Sequence, residues 1–282
     1  MARSSVVPSA SRVRPRLVGI VNITADSFSD GGRFLAADDA LAHARRLRLD
    51  GADVIELGAV ASNPDAEQVP VEEEQRRLGG VLQSLIAENV PVSVDSYASP
   101  TQRFAAACGA AYLNDIQGFP DPRRYEELAA TSCRLIVMHS VRRIGPATKI
   151  LTDPETVWAG IERFFAERLA ALSAAGIARE QLIIDPGLGY FLGRTPEPSL
   201  LVLSRLRRLK DRFGVPVMVS PSRKSFLREL TGRDLDRIGS ATLAAELYAA
   251  RQGVDFIRTH DVAALSDALA VLAALESAHD LP

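Results

Sequence analysis

Short apolar runs recur along the chain, and each stops at a polar or charged residue capable of chemistry. Val18-Gly19-Ile20-Val21 stops at Asn22, Val54-Ile55 at Glu56, Val92-Ser93-Val94 at Asp95, and Ala111-Tyr112-Leu113 at Asn114-Asp115. Further on, Leu135-Ile136-Val137-Met138 stops at His139 and Leu182-Ile183-Ile184 at Asp185. Val217-Met218-Val219 precedes Ser220 to Lys224, and Phe256-Ile257 precedes Arg258 and His260. Helical stretches fill the gaps, so a strand-then-helix unit repeats eight times. Parallel strands covered by helices read as continuous apolar runs. The pattern predicts an α/β fold, a single (β/α)8 TIM barrel, whose catalytic groups sit at the C-terminal strand ends.

The chain's 282 residues fit one such barrel, since roughly 250 residues is typical. A formal net charge of -2 provides no global attraction for nucleic acid or an anionic membrane, so neither is expected as a partner and any anion site must be local. No apolar run approaches the roughly 20 residues of a membrane helix. The cysteines, Cys108 and Cys133, lie in apolar stretches without a CxxC or Cys/His cluster, which predicts structural thiols in a reduced, cytoplasmic protein. Residues 1–16 carry four arginines and no acid but lack the apolar core of a secretory signal. We read them as a disordered tail before one domain over 17–282.

Helical spacing and end signals predict helices over Asp38–Leu49, Val71–Glu88, Pro100–Cys108 and Pro122–Ala130. Four more are expected over Asp153–Ala175, Ser199–Phe213, Ala241–Gln252 and Val262–Ala278. In the long one, Trp158, Ile161, Phe165, Leu169 and Leu172 recur at helical spacing and read as core. Long polar connections follow the first strand (Thr24–Phe34), the second (Ala59–Pro70), the fifth (Ser140–Thr152) and the sixth (Gly187–Pro198). Loops of this length in a compact domain are usually lids or binding segments.

Ser220-Pro-Ser-Arg-Lys-Ser225 follows strand seven and Arg258-Thr-His260 follows strand eight. Barrel enzymes commonly bind phosphate between these two loops, and Arg223, Arg258 and His260 would supply charge-assisted donors. Asp95, Asn114, Asp115 and Asp185 end strands three, four and six. Carboxylates aimed into a barrel mouth are costly to desolvate unless partnered, and a nitrogen-rich heterocycle presenting donors would satisfy them. Asp115 also reads as a cap and Asp185-Pro-Gly as a turn. Asn22 could be a neutral oxygen ligand to Mg²⁺, a cation that keeps most of its shell as phosphate and water. Lys224 is open between charge donor and Schiff-base former. The sequence contains no zinc spacing, nucleophile elbow or dinucleotide loop, so the rim points to binding and electrostatic catalysis.

Val18 to Gly32 (VGIVNITADSFSDGG), Asp95-Ser96, Asn114-Asp115-Ile116, Met138-His139, Asp185-Pro-Gly-Leu-Gly189, Ser222-Arg-Lys-Ser225 and Arg258-Thr-His260 together resemble the motif series of the dihydropteroate synthase family. The resemblance implies a pterin-binding barrel that joins 6-hydroxymethyl-7,8-dihydropterin pyrophosphate to p-aminobenzoate with Mg²⁺ as cofactor, usually as a homodimer. By position it makes Asp95, Asn114, Asp185, Met138 and Lys224 the pterin pocket, with Asp95, Asp185 and Lys224 the catalytic set. It places Asn22, Ser62, Arg223, Arg258 and His260 around the pyrophosphate and metal, and Ser222, Tyr190 and Phe191 on the p-aminobenzoate side.

The second loop departs from the family's Thr-Arg-Pro with Ser62-Asn63-Pro64. The sixth reads Gly189-Tyr190-Phe191-Leu192 where Gly-Phe-Gly-Lys is usual. These departures resemble the sulfonamide-insensitive members of the family and imply reduced drug sensitivity, with Phe191 filling space that a glycine left beside the arylamine. The missing cations also leave open a pterin-binding relative that has lost catalysis.

Overall fold

Side chains alternate between the two faces of a strand, and in this chain the two faces of every strand are buried in different ways. The structure, a computed structural model, describes residues 14–23, 33–60 and 69–279. Its strands are β1 (Arg16–Asn22), β2 (Val54–Gly58), β3 (Val92–Asp95), β4 (Tyr112–Asp115), β5 (Arg134–Met138), β6 (Leu182–Asp185), β7 (Met218–Val219) and β8 (Phe256–Thr259). They form one parallel sheet in the order β6-β5-β4-β3-β2-β1-β8-β7, and a parallel bridge between Ile184 and Val217 brings its two edges together. This is the expected barrel. β7 is short because Pro216 and Pro221 flank it, and a residue without an N–H cannot extend a ladder.

Outward-facing residues such as Leu17, Ile55, Leu57, Val94, Leu113, Leu135, Ile184, Val219 and Ile257 join the helices in the main core. Inward-facing Val18, Val54, Tyr112, Ile136, Ile183, Met218 and Phe256 form a separate cluster that plugs the barrel. The helices are α1 (Arg33–Leu49), α2 (Val71–Ala87), α3 (Ser99–Cys108), α4 (Tyr125–Ala129), α5 (Pro154–Ala174), α6 (Glu197–Ser204), α7 (Leu206–Phe213), α8 (Ser225–Thr231), α9 (Gly239–Arg251) and α10 (Val262–His279). Trp158, Ile161, Phe165, Leu169 and Leu172 of α5 are all buried, as their spacing required. Among the described residues, no helix is long and apolar enough to cross a membrane.

Three helical expectations need correction. Ser199–Phe213 is two helices, broken where Arg205 leaves helical geometry and its guanidinium forks onto Glu155 of α5 at 2.6 and 2.7 Å. Pro122–Ala130 begins as a 3-10 turn over Pro122–Arg124 before the single turn of α4. α8, directly after the SRK segment, is an additional helix. At seven residues it is too short to show periodicity. Residues 1–13, the core of the first loop (24–32) and Ser62 lie outside the described residues.

Gly19 lets α1 approach β1. A Cβ there would stand 3.1–3.3 Å from Leu47 and Ala52. Gly19→Val is expected to cost about 1–3 kcal/mol through overpacking, read as a lowered urea midpoint at unchanged slope; an unchanged midpoint would refute this packing account.

Candidate active site

Stepping two residues up each strand from the apolar plug reaches the next inward level: Ile20, Glu56, Asp95 above Ser93, Asn114, Met138, Asp185, Ser220 and Arg258. Period-two geometry therefore converts the ends of the apolar runs into one polar ring. Asp95, Asn114, Met138, Asp185, Ser220, Lys224 and Arg258 line one pocket there, with Ile116 and Phe191.

Arg258 spans the ring. Its Nε donates to Glu56 Oε1, and its NH2 group donates to Asp95 Oδ2 at 3.1 Å. Glu56 is fully buried and its other oxygen accepts from Ser93 Oγ (2.9 Å) and Asn114 Nδ2 (3.1 Å). Asn114 Oδ1 is buried and has no protein partner. Asp185 Oδ1 accepts from Gly187 N at 2.8 Å, so the turn reading of Asp-Pro-Gly is correct, yet the residue also lines the pocket. Asp115 is committed elsewhere. Its oxygens accept from Gln117 N, Phe119 N and Gln102 Nε2, which caps the turn after β4 and is not the N-cap of a helix.

The charges are strongly coupled. Burial, reinforced by Glu56 and opposed by Arg258 and Lys224, pushes the Asp95 carboxyl up to about 7. Burial likewise lifts Asp185 to about 6 against the Gly187 hydrogen bond and Lys224. Burial and then Arg258 lower Lys224 to about 8. Its ammonium stands 4.8 Å from the Phe191 ring centroid, a cation–π distance. Burial works against the Arg258 charge, but Glu56 and Asp95 outweigh it and hold the guanidinium above its usual value.

The two loops beside the ring meet. His260 N donates to Ser222 Oγ at 3.2 Å, and the hydroxyl lies 2.9 Å from His260 Nδ1. Burial, with Arg258 and Arg223 nearby, drives His260 down to about 3, which favours the neutral ring. Ser222 holds Nδ1 and leaves Nε2 for a ligand. Arg223 is exposed and has a left-handed backbone at φ 58, with its N–H directed at Thr242 Oγ1 of α9 at 3.4 Å. His139 does not join the site. It is buried against Phe164, its Nδ1 is 3.3 Å from Pro186 O, and burial lowers it to about 3.

The fifth and sixth loops are tied together. Val141 N donates to Phe191 O, Thr148 N to Tyr190 O and Arg194 N to Ile150 O, at 2.7–3.1 Å. Phe191 packs with Ile116, Met138 and Ala147, and Tyr190 packs against that cluster. Asn22 is exposed at the end of β1, and its Oδ1 lies 3.7 Å from where a Cβ would stand on Gly58. Among the described residues no group of three or more His, Cys, Asp or Glu side chains could cage a metal. In the sequence Glu56 stands at the stop of the second run with no role attached, and Ser93 lies inside the third run. The signal available was their place in the two-residue alternation, Glu56 lying two beyond Val54.

A model of the pterin binding enzyme family matches residues 18–260. The chain is 54% identical to the dihydropteroate synthase type-2 of Escherichia coli, over 92% of this chain and 96% of that one. It is 50% identical to the type-3 enzyme of the same organism, over 92% and 99%. A solved dihydropteroate synthase from Xanthomonas albilineans in complex with 7,8-dihydropteroate superposes with a TM-score of 0.81 at 38% identity, covering 95% of each chain.

Removing the spanning cation tests the electrostatics of the ring. Arg258→Gln leaves Glu56 buried without its cation and is expected to cost about 3–5 kcal/mol at about pH 8. The loss should shrink towards about pH 6. Without Arg258 the Asp95 carboxyl, already raised by burial, is pushed further up, so as the pH falls the folded variant gains more than folded wild type from protonating it. Urea denaturation across this range checks it, and a pH-independent loss would contradict it.

Proposed function

The chain belongs to the dihydropteroate synthase family of pterin-binding enzymes, and on that premise we infer that it condenses 6-hydroxymethyl-7,8-dihydropterin pyrophosphate with p-aminobenzoate to 7,8-dihydropteroate. The observation that carries this reading is the composition of the mouth. Acceptors (Asp95, Asp185, Asn114) lie beside cations (Lys224, Arg258), with Arg223 and His260 on the adjoining loops. The carboxylates and the free Asn114 oxygen suit the donor edge of a pterin, and the cations, with His260 Nε2 protonated, suit a pyrophosphate. The C–O bond to pyrophosphate breaks with its electron pair leaving on the anion. The arylamine nitrogen then bonds to the methylene carbon and loses a proton. Preorganised charges stabilise both the departing anion and the cationic heterocycle, so no enzyme nucleophile is needed and Lys224 acts as a charge donor.

Asn22 fits a Mg²⁺ carried by the pyrophosphate. It supplies one hard neutral oxygen, and this ion needs few protein ligands. When bound, the ion neutralises charge on the leaving group. Ser62 is assigned to the pyrophosphate side, and Ser222 and Tyr190 to the p-aminobenzoate side, by the family resemblance. A homodimer is supported by apolar side chains exposed on α9 and α10, among them Tyr248 (46%), Val271 (60%) and Leu275 (64%). Cys108 and Cys133, both free, suit a reduced, cytoplasmic setting.

Phe191 supports reduced sulfonamide sensitivity. Its ring is wedged between Lys224 and the Ile116, Met138 and Ala147 side chains, so it cannot swing away from a bulky sulfonyl group without unpacking. A clash of about 3 kcal/mol discriminates by more than a hundredfold. Pteroate formation by the purified protein, titrated with a sulfonamide, tests both parts. Turnover is expected to persist at concentrations that abolish a sensitive synthase, and Phe191→Gly is expected to lower the inhibitory concentration by about 100-fold. Pterin binding without turnover would mean a non-catalytic relative. Unchanged inhibition of an active Phe191→Gly enzyme would remove the steric account.

The pH profile tests the charge assignment. In the unliganded protein Asp185 and Asp95 become anionic near 6 and 7, and Lys224 loses its proton near 8. kcat/KM, which reports the free enzyme, should rise through the first range and fall through the second. In Lys224→Arg the alkaline limb should move beyond about pH 10; a limb that stays near 8 would assign it to another group.

A further inference from the structure

We propose that Glu56 is a positioning residue that selects which face of the Asn114 amide meets the pterin. The inference rests on the pterin-binding reading above. Glu56 sits at the hub of the ring, fully buried, and accepts from Arg258 Nε on one oxygen and from Ser93 Oγ and Asn114 Nδ2 on the other. An ionised carboxylate can only accept. It therefore draws the NH2 end of the Asn114 amide to itself and turns Oδ1 away.

Oδ1 is buried and without a protein partner, on a residue that lines the pocket. A buried acceptor left without a partner is unfavourable, and a ligand N–H can supply the donor it lacks. Glu56 thus adds a third acceptor to those of Asp95 and Asp185 without touching the ligand. It matches the site to a heterocycle whose recognised edge carries several N–H donors.

Glu56→Gln is nearly isosteric and its outcome is constrained by Arg258. The arginine is a donor, so it holds the carbonyl oxygen of the new amide and forces the NH2 group towards Ser93 and Asn114. Ser93 can rotate to accept. Asn114 must flip, placing NH2 where the pocket had an acceptor. Binding of 6-hydroxymethylpterin, which lacks the pyrophosphate, isolates this contact in calorimetry. Wild type should bind it, Glu56→Gln should bind about 10- to 100-fold more weakly, and Glu56→Gln with Asn114→Asp should recover most of the loss. In the double variant the amide introduced on β2 donates to one oxygen of the carboxylate introduced on β4 and leaves the other oxygen facing the pocket.

A merely structural role for Glu56 would not be rescued by exchanging donor and acceptor. If Glu56→Gln binds pterin as wild type does, or the double variant binds no better than Asn114→Asp alone, the inference is overturned. The second comparison stands even if Glu56→Gln does not fold. A wild-type protein that fails to bind the pterin would overturn the functional reading instead.

Discussion

The structure of the barrel mouth depends on one buried cation. Arg258 at the end of β8 reaches Glu56 on β2 and Asp95 on β3, contacts separated by 202 and 163 residues in sequence. Three carboxylates, Glu56, Asp95 and Asp185, face two cations, Arg258 and Lys224, inside a ring with little access to water. Burying any of these charges alone would cost several kcal/mol. Their mutual compensation lets β2, β3, β6 and β8 end in charge while the level beneath, from Val18 to Phe256, remains a dry plug.

That compensation is incomplete, and the shortfall bears on reactivity. Burial holds Asp95 and Asp185 close to neutrality against the pull of Arg258 and Lys224, and burial with the neighbouring Arg258 makes Lys224 easier to deprotonate than a surface lysine. A site filled with fixed, fully paired ions would have nothing left for a ligand. Here Asp185 retains an oxygen beyond its turn contact, Asn114 Oδ1 is unpaired, and His260 keeps Nε2 after Ser222 takes Nδ1. These unused valences suit a partner with both a donor-rich ring and an anionic tail.

Much of this was legible in the sequence because period and position coincide in a parallel barrel. An apolar run that stops at a charge marks a strand and its C-terminal end together, and this located Asp95, Asn114, Asp185 and Arg258. Glu56 also stops a run, but it is followed by Leu57 and Gly58 and marks no loop motif, so the sequence attaches no role to it; its parity with Val54 shows that it points inward. Run ends alone mark Asp115 and His139 as plainly as Asn114 and Met138. The strand reverses face between adjacent residues, which sends Asp115 into a turn and His139 against Phe164 while Asn114 and Met138 line the pocket. The break at Arg205 carries no local signal, since no Pro or Gly marks it, and the partner its side chain reaches, Glu155, is 50 residues away.

The same logic of imposed geometry extends to the sixth loop. Gly187 has φ +73, and a Cβ there would fall 2.5 Å from the His139 carbonyl oxygen. Gly189 has φ +65, and a Cβ there would stand 3.0 Å from Ser225 Oγ. Glycine at both positions lets the chain fold tightly onto β5 and the start of α8. Hydrogen bonds from Val141 and Thr148 then fasten the carbonyls of Phe191 and Tyr190 to the fifth loop. Phe191 is therefore placed by backbone held on both sides, and its ring is one wall of the pocket that Lys224 and Met138 share. A bulky wall on a mobile loop would yield to any ligand. A wall on a fastened loop can discriminate by shape, so any selection by the Phe191 ring rests on the backbone ties as much as on the ring itself.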